Sequence, residues 1–175
     1  RGEYTLQLAR KYPQRNFIGV DIKGARIWQG ASMALAEGLH NVAFLRTRIE
    51  QVDLFFAPDE VSEIWITFPD PFLGKSNRRL TAPRFIARYR RFLRPAGLCH
   101  LKPAAPTLFE FSVATLRPSW ISKPTTKPST YGIKKPSSTC AFASPPSRHR
   151  RPHFEKSKPF ANFALAQHLS PYSGL

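Results

Sequence analysis

The sequence predicts an α/β fold over roughly its first hundred residues: a doubly wound, mostly parallel sheet. Three observations carry that prediction. Short β-branched and aromatic runs alternate with amphipathic helical stretches from Glu3 to Lys102. Turn and stop residues (Pro13, Gly38, Pro95, Gly97) fall between these stretches rather than inside them. Two of the apolar runs close on, or just before, an acid, Asp21 and Asp70. Such an acid sits at the carboxyl end of a strand, where open α/β sheets bind ligands. Strands joined through helices imply right-handed crossovers.

Taken in order, Gly2 precedes a helix over Glu3 to Lys11, with Tyr4, Leu8 and Lys11 at helical spacing. Phe17 to Val20 form a strand ending at Asp21. Lys23 to Glu37 read as a second helix, whose Ile27, Ala31, Ala34 and Leu35 share a face and whose stop is Gly38. Asn41 to Thr47 are a strand, and Ile49 to Phe56 a short helix or turn. Ile64 to Phe68 (IWITF) is a buried strand, stopped by Pro69 and Pro71, neither of which can donate a ladder hydrogen bond. Thr81 reads as the N-cap, with Pro83 in the first turn, of a helix reaching Leu93. Its Phe85, Tyr89, Phe92 and Leu93 point inward, and Arg84, Arg88 and Arg91 outward. Leu98 to Lys102 is the last strand of this series.

Composition changes after Lys102. Of 17 prolines, 11 lie from Pro103 onward, with only Glu110 and Glu155 as acids. Thr107 to Leu116 still fits a helix; from Pro118 to Pro152 prolines come too often for a helix or central strand. Phe160 to Leu169 is mildly helical. The chain therefore divides into a core, residues 1–116, lacking its first strand, and a Pro/Ser/Lys-rich tail, residues 117–175, expected to be poorly ordered. The first residue is Arg1 rather than Met, and the opening falls inside a motif, so an amino-terminal segment is expected to be missing.

The 175 residues carry a net charge of +16 and a pI near 10.7, which favours a polyanionic partner, most often nucleic acid. Basic excess is shared: 17 Lys and Arg against nine acids up to Lys102, ten against two beyond it. Two cysteines, Cys99 and Cys140, make neither a disulfide framework nor a metal site and suit a reducing cytoplasm. The five histidines show no metal-ligand spacing. No apolar run approaches the roughly 20 residues that span a bilayer.

Three groups could carry chemistry. Gly2 opens the first helix, where a glycine lets backbone approach a ligand, and Asp21 follows 19 positions later at a strand tip, as an acid does when it pairs with ribose hydroxyls. That pattern indicates an adenosine-type cofactor; the plainer alternative is a strand-end acid that only caps the next helix. Asp70, between two prolines, can accept from N1–H and N2–H₂ of a guanine edge, or can simply form a turn. Lys75, Arg78 and Arg79 follow with no acid among them and could neutralise backbone phosphates, a patch that Arg84, Arg88 and Arg91 would lengthen; a solvated loop is the alternative.

The stretches FIGVDIKGARI, EGLHNVAFLRT, WITFPDPF and RRLTAPRFIARYRRFLRPAG resemble the bacterial tRNA (guanine-N7)-methyltransferases, in the right order and spacing from Arg1 to Lys102. The resemblance implies a Rossmann-like class I fold, S-adenosylmethionine as cofactor, and methylation of N7 of a guanine in the tRNA variable loop, in the cytoplasm, with no metal and no membrane. It places Gly2 at the last glycine of the cofactor loop, Asp21 on the ribose, and Arg48 and Ile49 at the adenine, Arg48 by its backbone only. It makes Asp70 the catalytic or guanine-holding residue, in contact with the cofactor side as well. Lys75, Arg78, Arg79 and Glu155 fall to the substrate, with Lys75 one position beyond the family's usual lysine, which is Gly74 here. The chain departs from the family at Ala104, where an acid is usual, and after Lys156; reading-frame slips in the tail would account for this, with His153 to Lys156 an island of the original frame. The alternatives are an inactive basic RNA-binding remnant and a small-molecule methyltransferase.

Overall fold

The computed structural model describes residues 2–120, 140–143 and 161–166. Six strands form one sheet: β1 (Asn16–Asp21), β2 (Val42–Arg46), β3 (Val61–Thr67), β4 (Leu93–Lys102), β5 (Cys140–Ala143) and β6 (Ala161–Ala166). Their spatial order is β2-β1-β6-β3-β4-β5. Every neighbouring pair is parallel except β4 and β5. Among the described residues four α-helices complete the fold, α1 (Glu3–Lys11), α2 (Gly24–Ala36), α3 (Pro83–Tyr89) and α4 (Pro106–Trp120), with short 3-10 helices at Ile49–Leu54 and Ser76–Arg78.

The two-residue period of β3 divides the core between the faces of the sheet. Ile64 and Ile66 pack on one side with Leu80, Phe85, Tyr89, Phe92, Leu101 and Leu116. Trp65, one position out of phase, packs on the other with Leu8, Ala9 and Phe17, and Tyr4 and Tyr12 lie against them. Each fully buried Phe or Leu here contributes roughly 1.5–3 kcal/mol by leaving water. Phe85 and Tyr89 face inward on α3 as expected, but the helix expected to reach Leu93 ends at Tyr89; Phe92 and Leu93 are buried beyond it, Leu93 as the first residue of β4.

Several local expectations are corrected. Phe160 to Leu169 was expected to be helical, but Ala161–Ala166 is a strand, with Leu165 opposite both Val20 and Ile66. The two flanking strands each offer an open hydrogen-bonding edge there, and satisfying both outweighs the small helical preference of Ala and Leu. Within the stretch expected to hold no central strand, Cys140–Ala143 pairs antiparallel along β4 as an edge strand, which that expectation allows. Thr81 is not an N-cap: α3 starts after Ala82, without a side-chain cap, and the Thr81 hydroxyl instead shares a 2.7 Å hydrogen bond with Ser112 Oγ. The strand expected from Leu98 begins at Leu93, because Pro95, Ala96 (φ 59°) and Gly97 lie in a bulge between the Val61–Leu93 and Glu63–Leu98 pairs. Leu35, assigned to the inner face of α2, is 83% exposed, whereas Ala34 is buried.

In the common doubly wound order 3-2-1-4-5-6, ligands bind beyond the carboxyl ends of the strands where the winding direction reverses. Here β6 holds the place of strand 1, so the reversal falls between β6 and β3. Asp21 ends β1 and Thr67 ends β3, on either side of β6. Adjacent strands are about 4.8 Å apart, which puts those two ends within about 10 Å.

Candidate active site

Beyond the carboxyl end of β1 lies an open cleft lined by Gly2, Thr5, Gly19, Val20, Asp21, Arg26, Ile27 and Phe44. The fold thus brings together Gly2 and Asp21. Gly2 has φ 75°, and a Cβ there would lie 3.0 Å from Gly30 Cα and from the Phe44 ring. A side chain would be strained and would push α1 off α2, so close approach explains the glycine. Asp21 is buried; Oδ1 accepts the Lys23 N–H at 2.9 Å, and Oδ2 faces Arg26 Nη1 at 3.5 Å. The first contact is the cap-like role, and the second leaves an edge that a diol could take over from Arg26. Thr5 was not anticipated. Its hydroxyl is fully buried, lines the cleft and has no hydrogen-bond partner. An unmet hydroxyl at the cleft wall fits a polar ligand; in the sequence it is one more residue of a helix.

Arg48 and Ile49 follow β2, whose end pairs with that of β1 through Asp21 and Arg46. Ile49 is buried in the core and Arg48 is exposed. Neither residue lines the cleft beyond β1.

Asp70 does not line the cleft; it stands in the loop after β3, half-buried. Oδ1 accepts the Phe72 N–H at 2.8 Å, so the turn-forming role is real. Among the described residues no ion pair engages the carboxylate. The loop is strained on both sides of it: Phe68 has φ 49° and Phe72 φ 40°. Such non-glycine conformations cost about 1–3 kcal/mol each and persist only where other contacts hold them. The holding contacts are visible. Phe68 N–H donates to the Lys102 carbonyl at 2.8 Å, and Lys75 N–H to that of Phe72 at 3.1 Å. Arg79 Nε donates to the Pro71 carbonyl at 2.7 Å, while its guanidinium lies 4.4 Å from the centre of the Phe111 ring.

The basic residues sort into two kinds. Lys75 and Arg78 are exposed and unpaired with any acid among the described residues. Arg79 is 8% exposed and committed to its own loop. The patch expected along α3 is not free charge. Arg88 and Arg91 both bond Asp53, and Arg84 lies 3.8 Å from Glu50. Burial would raise the Asp53 carboxyl, but hydrogen bonds from Arg88 and Arg91 outweigh it and hold the carboxyl below its usual range. On the α1 side of the sheet, Glu63 has His100 Nε2 at 3.3 Å and Arg15 Nη1 at 2.8 Å. Both hold its carboxyl near 2 against the penalty of burial. The His100 contact is poorly aligned for a hydrogen bond, so Arg15 is the firmer partner. Glu155 lies outside the described residues. Among the described residues no three His, Cys, Asp or Glu gather as metal ligands, and no helix is long and apolar enough to cross a membrane.

Comparison with known proteins adds to this geometry. A family model described as "Putative methyltransferase" matches residues 1–129. A tRNA (guanine-N(7)-)-methyltransferase of Porphyromonas gingivalis is 54% identical over 114 residues, 65% of this chain and 47% of that protein. One from Christiangramia forsetii is 52% identical over 118 residues, 66% of this chain and 53% of that protein. The chain thus spans about half the length of these curated relatives. Among solved structures, a SAM-dependent O-methyltransferase of Thermotoga maritima superposes with a TM-score of 0.54 at 10% identity, over 85% of this chain and 67% of that one, which is a likeness of fold.

Proposed function

The chain belongs to the methyltransferase family whose model matches residues 1–129, and on that premise we propose that it transfers a methyl group from S-adenosylmethionine to N7 of a guanine in the tRNA variable loop. Bound S-adenosylmethionine supplies a methyl group on a sulfonium, open to in-line displacement. N7 carries an in-plane lone pair and no proton, so the protein needs no strong general base. Positioning alone can supply roughly 7–11 kcal/mol of barrier reduction.

The residues present fit that cofactor. Asp21 offers a carboxylate edge for a ribose diol, Gly2 allows close backbone approach, and Thr5 offers an unmet hydroxyl. The backbone at Arg48 and Ile49 lies at the neighbouring strand end for the adenine. Asp70, with one oxygen spent on its turn, has the other for the guanine edge. Lys75 and Arg78 neutralise phosphates; Arg79 shapes the loop that presents Asp70. Glu155 belongs with the substrate set by resemblance. A tRNA substrate supports a cytoplasmic reading.

The observation that carries this reading is the strained loop held from three sides around one carboxylate, at the end of β3, two strands from the cleft at β1. Asp70→Ala should retain labelled S-adenosylmethionine and lose transfer to tRNA; near-normal turnover refutes the role. Ala104 and Gly74 stand where the family resemblance implies an acid and a lysine, which favours a second reading, an RNA-binding remnant. That remnant would bind tRNA in a salt-sensitive way and fail to retain the donor.

A further inference from the structure

Lys102, at the carboxyl end of β4 opposite Thr67, has no assigned role. It is only 4% exposed, yet no hydrogen bond or ion pair holds its ammonium among the described residues. Two aromatic rings flank it instead: Nζ lies 5.6 Å from the centre of the Tyr4 ring and 5.3 Å from that of Phe68. Those rings belong to the two halves of the site. Tyr4 lies in the first turn of α1, two residues after Gly2 of the cleft, and Phe68 opens the strained Asp70 loop. The stem is buried while Nζ keeps some contact with solvent, so the ammonium is flanked by ring faces and open to an anion. Burial accordingly lowers its pKa, with no carboxylate to raise it.

We infer that Lys102 is an anion subsite, receiving the carboxylate of the methyl donor's amino-acid arm between Tyr4 and Phe68 at the opening of α1. This rests on the donor reading above. A backbone phosphate of RNA, carried on a bulky convex strand, is better met by exposed Lys75 and Arg78 than by a side chain this enclosed. From Asp21 to Lys102 the sheet crosses three strand spacings, about 14 Å. Lys102 leans back toward α1 across that interval, as its contact with Tyr4 shows. In this inference a donor with its ribose at Asp21 directs its arm over the ends of β6 and β3 toward Lys102. The first-turn N–H groups of α1 add positive potential there.

The test compares two probes on the full chain. S-adenosylhomocysteine carries the carboxylate; 5′-methylthioadenosine keeps the adenosine and thioether but lacks the arm. Lys102→Met should weaken S-adenosylhomocysteine roughly tenfold to hundredfold and leave 5′-methylthioadenosine unchanged, with Lys102→Arg recovering most of the loss. Equal weakening of both probes, or of neither, overturns the inference. Loss of tRNA retention with S-adenosylhomocysteine binding intact assigns the subsite to RNA phosphate and overturns it as well. Should Lys102→Met not fold, the unaltered chain must still prefer S-adenosylhomocysteine about tenfold over its decarboxylated analogue; equal affinity is refuting. An unaltered chain that binds neither probe removes the donor reading itself, and this inference with it.

Discussion

Arg79 distinguishes two uses of positive charge beside the proposed catalytic acid. Read from the sequence, it neutralises a phosphate together with Lys75 and Arg78. In the fold, it donates from Nε to the Pro71 carbonyl at 2.7 Å, stacks on Phe111 and is nearly buried. A charged hydrogen bond contributes about 1.5–3 kcal/mol and a partly desolvated cation–π contact about 1 kcal/mol. Together these give ~2–4 kcal/mol, or roughly 30- to 1,000-fold in the population of the held loop. The strain at Phe68 and Phe72 acts in the same direction, because release of the clamp lets both relax. Arg79→Lys separates the uses, since lysine keeps the charge and loses the planar fork. We expect Arg79→Lys and Arg79→Ala to lose transfer activity by similar factors within that range. Plots of log tRNA affinity against log salt should keep the slope of the unaltered chain. Arg78→Ala should instead flatten the slope by about one phosphate contact while sparing donor binding. The clamp is refuted if lysine restores activity, or if Arg79→Ala flattens the slope as Arg78→Ala does.

Two further outcomes test the scaffold. Glu63, held at about 2 against an ordinary 4.5, favours the folded state fully above pH 4.5, and that contribution disappears as pH falls toward 2. Chemical denaturation followed through Trp65 should show a midpoint falling across that window by the equivalent of ~1–2 kcal/mol, after allowance for the half-exposed Arg15. Glu63→Gln should remove that part of the slope, and an unchanged profile would count against the pairing. The Tyr89 hydroxyl is buried without a hydrogen-bond partner, and burial pushes its pKa well up. Tyr89→Phe should therefore be neutral or stabilising by up to about 1 kcal/mol in urea unfolding; a loss of more than that would reveal a partner for the hydroxyl.

Local pattern made much of this protein legible. The alternation of period-2 and period-3.6 apolar runs gave the order and type of the elements up to Lys102, because each period is written within a few neighbouring residues. Asp21 and Asp70 could be read as strand-end acids for the same reason, since an acid or a Pro after an apolar run marks where the strand stops. The FPDP segment and the basic run after it carried the family resemblance without reference to any contact.

What the sequence did not contain is which partner each group finds. Asp53 and Arg88 are 35 residues apart, so nothing near α3 shows that its arginines are already neutralised. Arg79 looks equivalent to Arg78 until folding turns one onto Pro71 and leaves the other in solvent. Ala161–Ala166 has the composition of a helix and becomes the central strand because β1 and β3 leave two hydrogen-bonding edges facing each other. Lys102 acquires its surroundings only when the first turn of α1 and the end of β3 close around it. Residue type and spacing set the order and type of the elements up to Lys102; pairing across long separations made a strand of Ala161–Ala166 and, where burial removes water as the default partner, decided which charges stay available for a ligand.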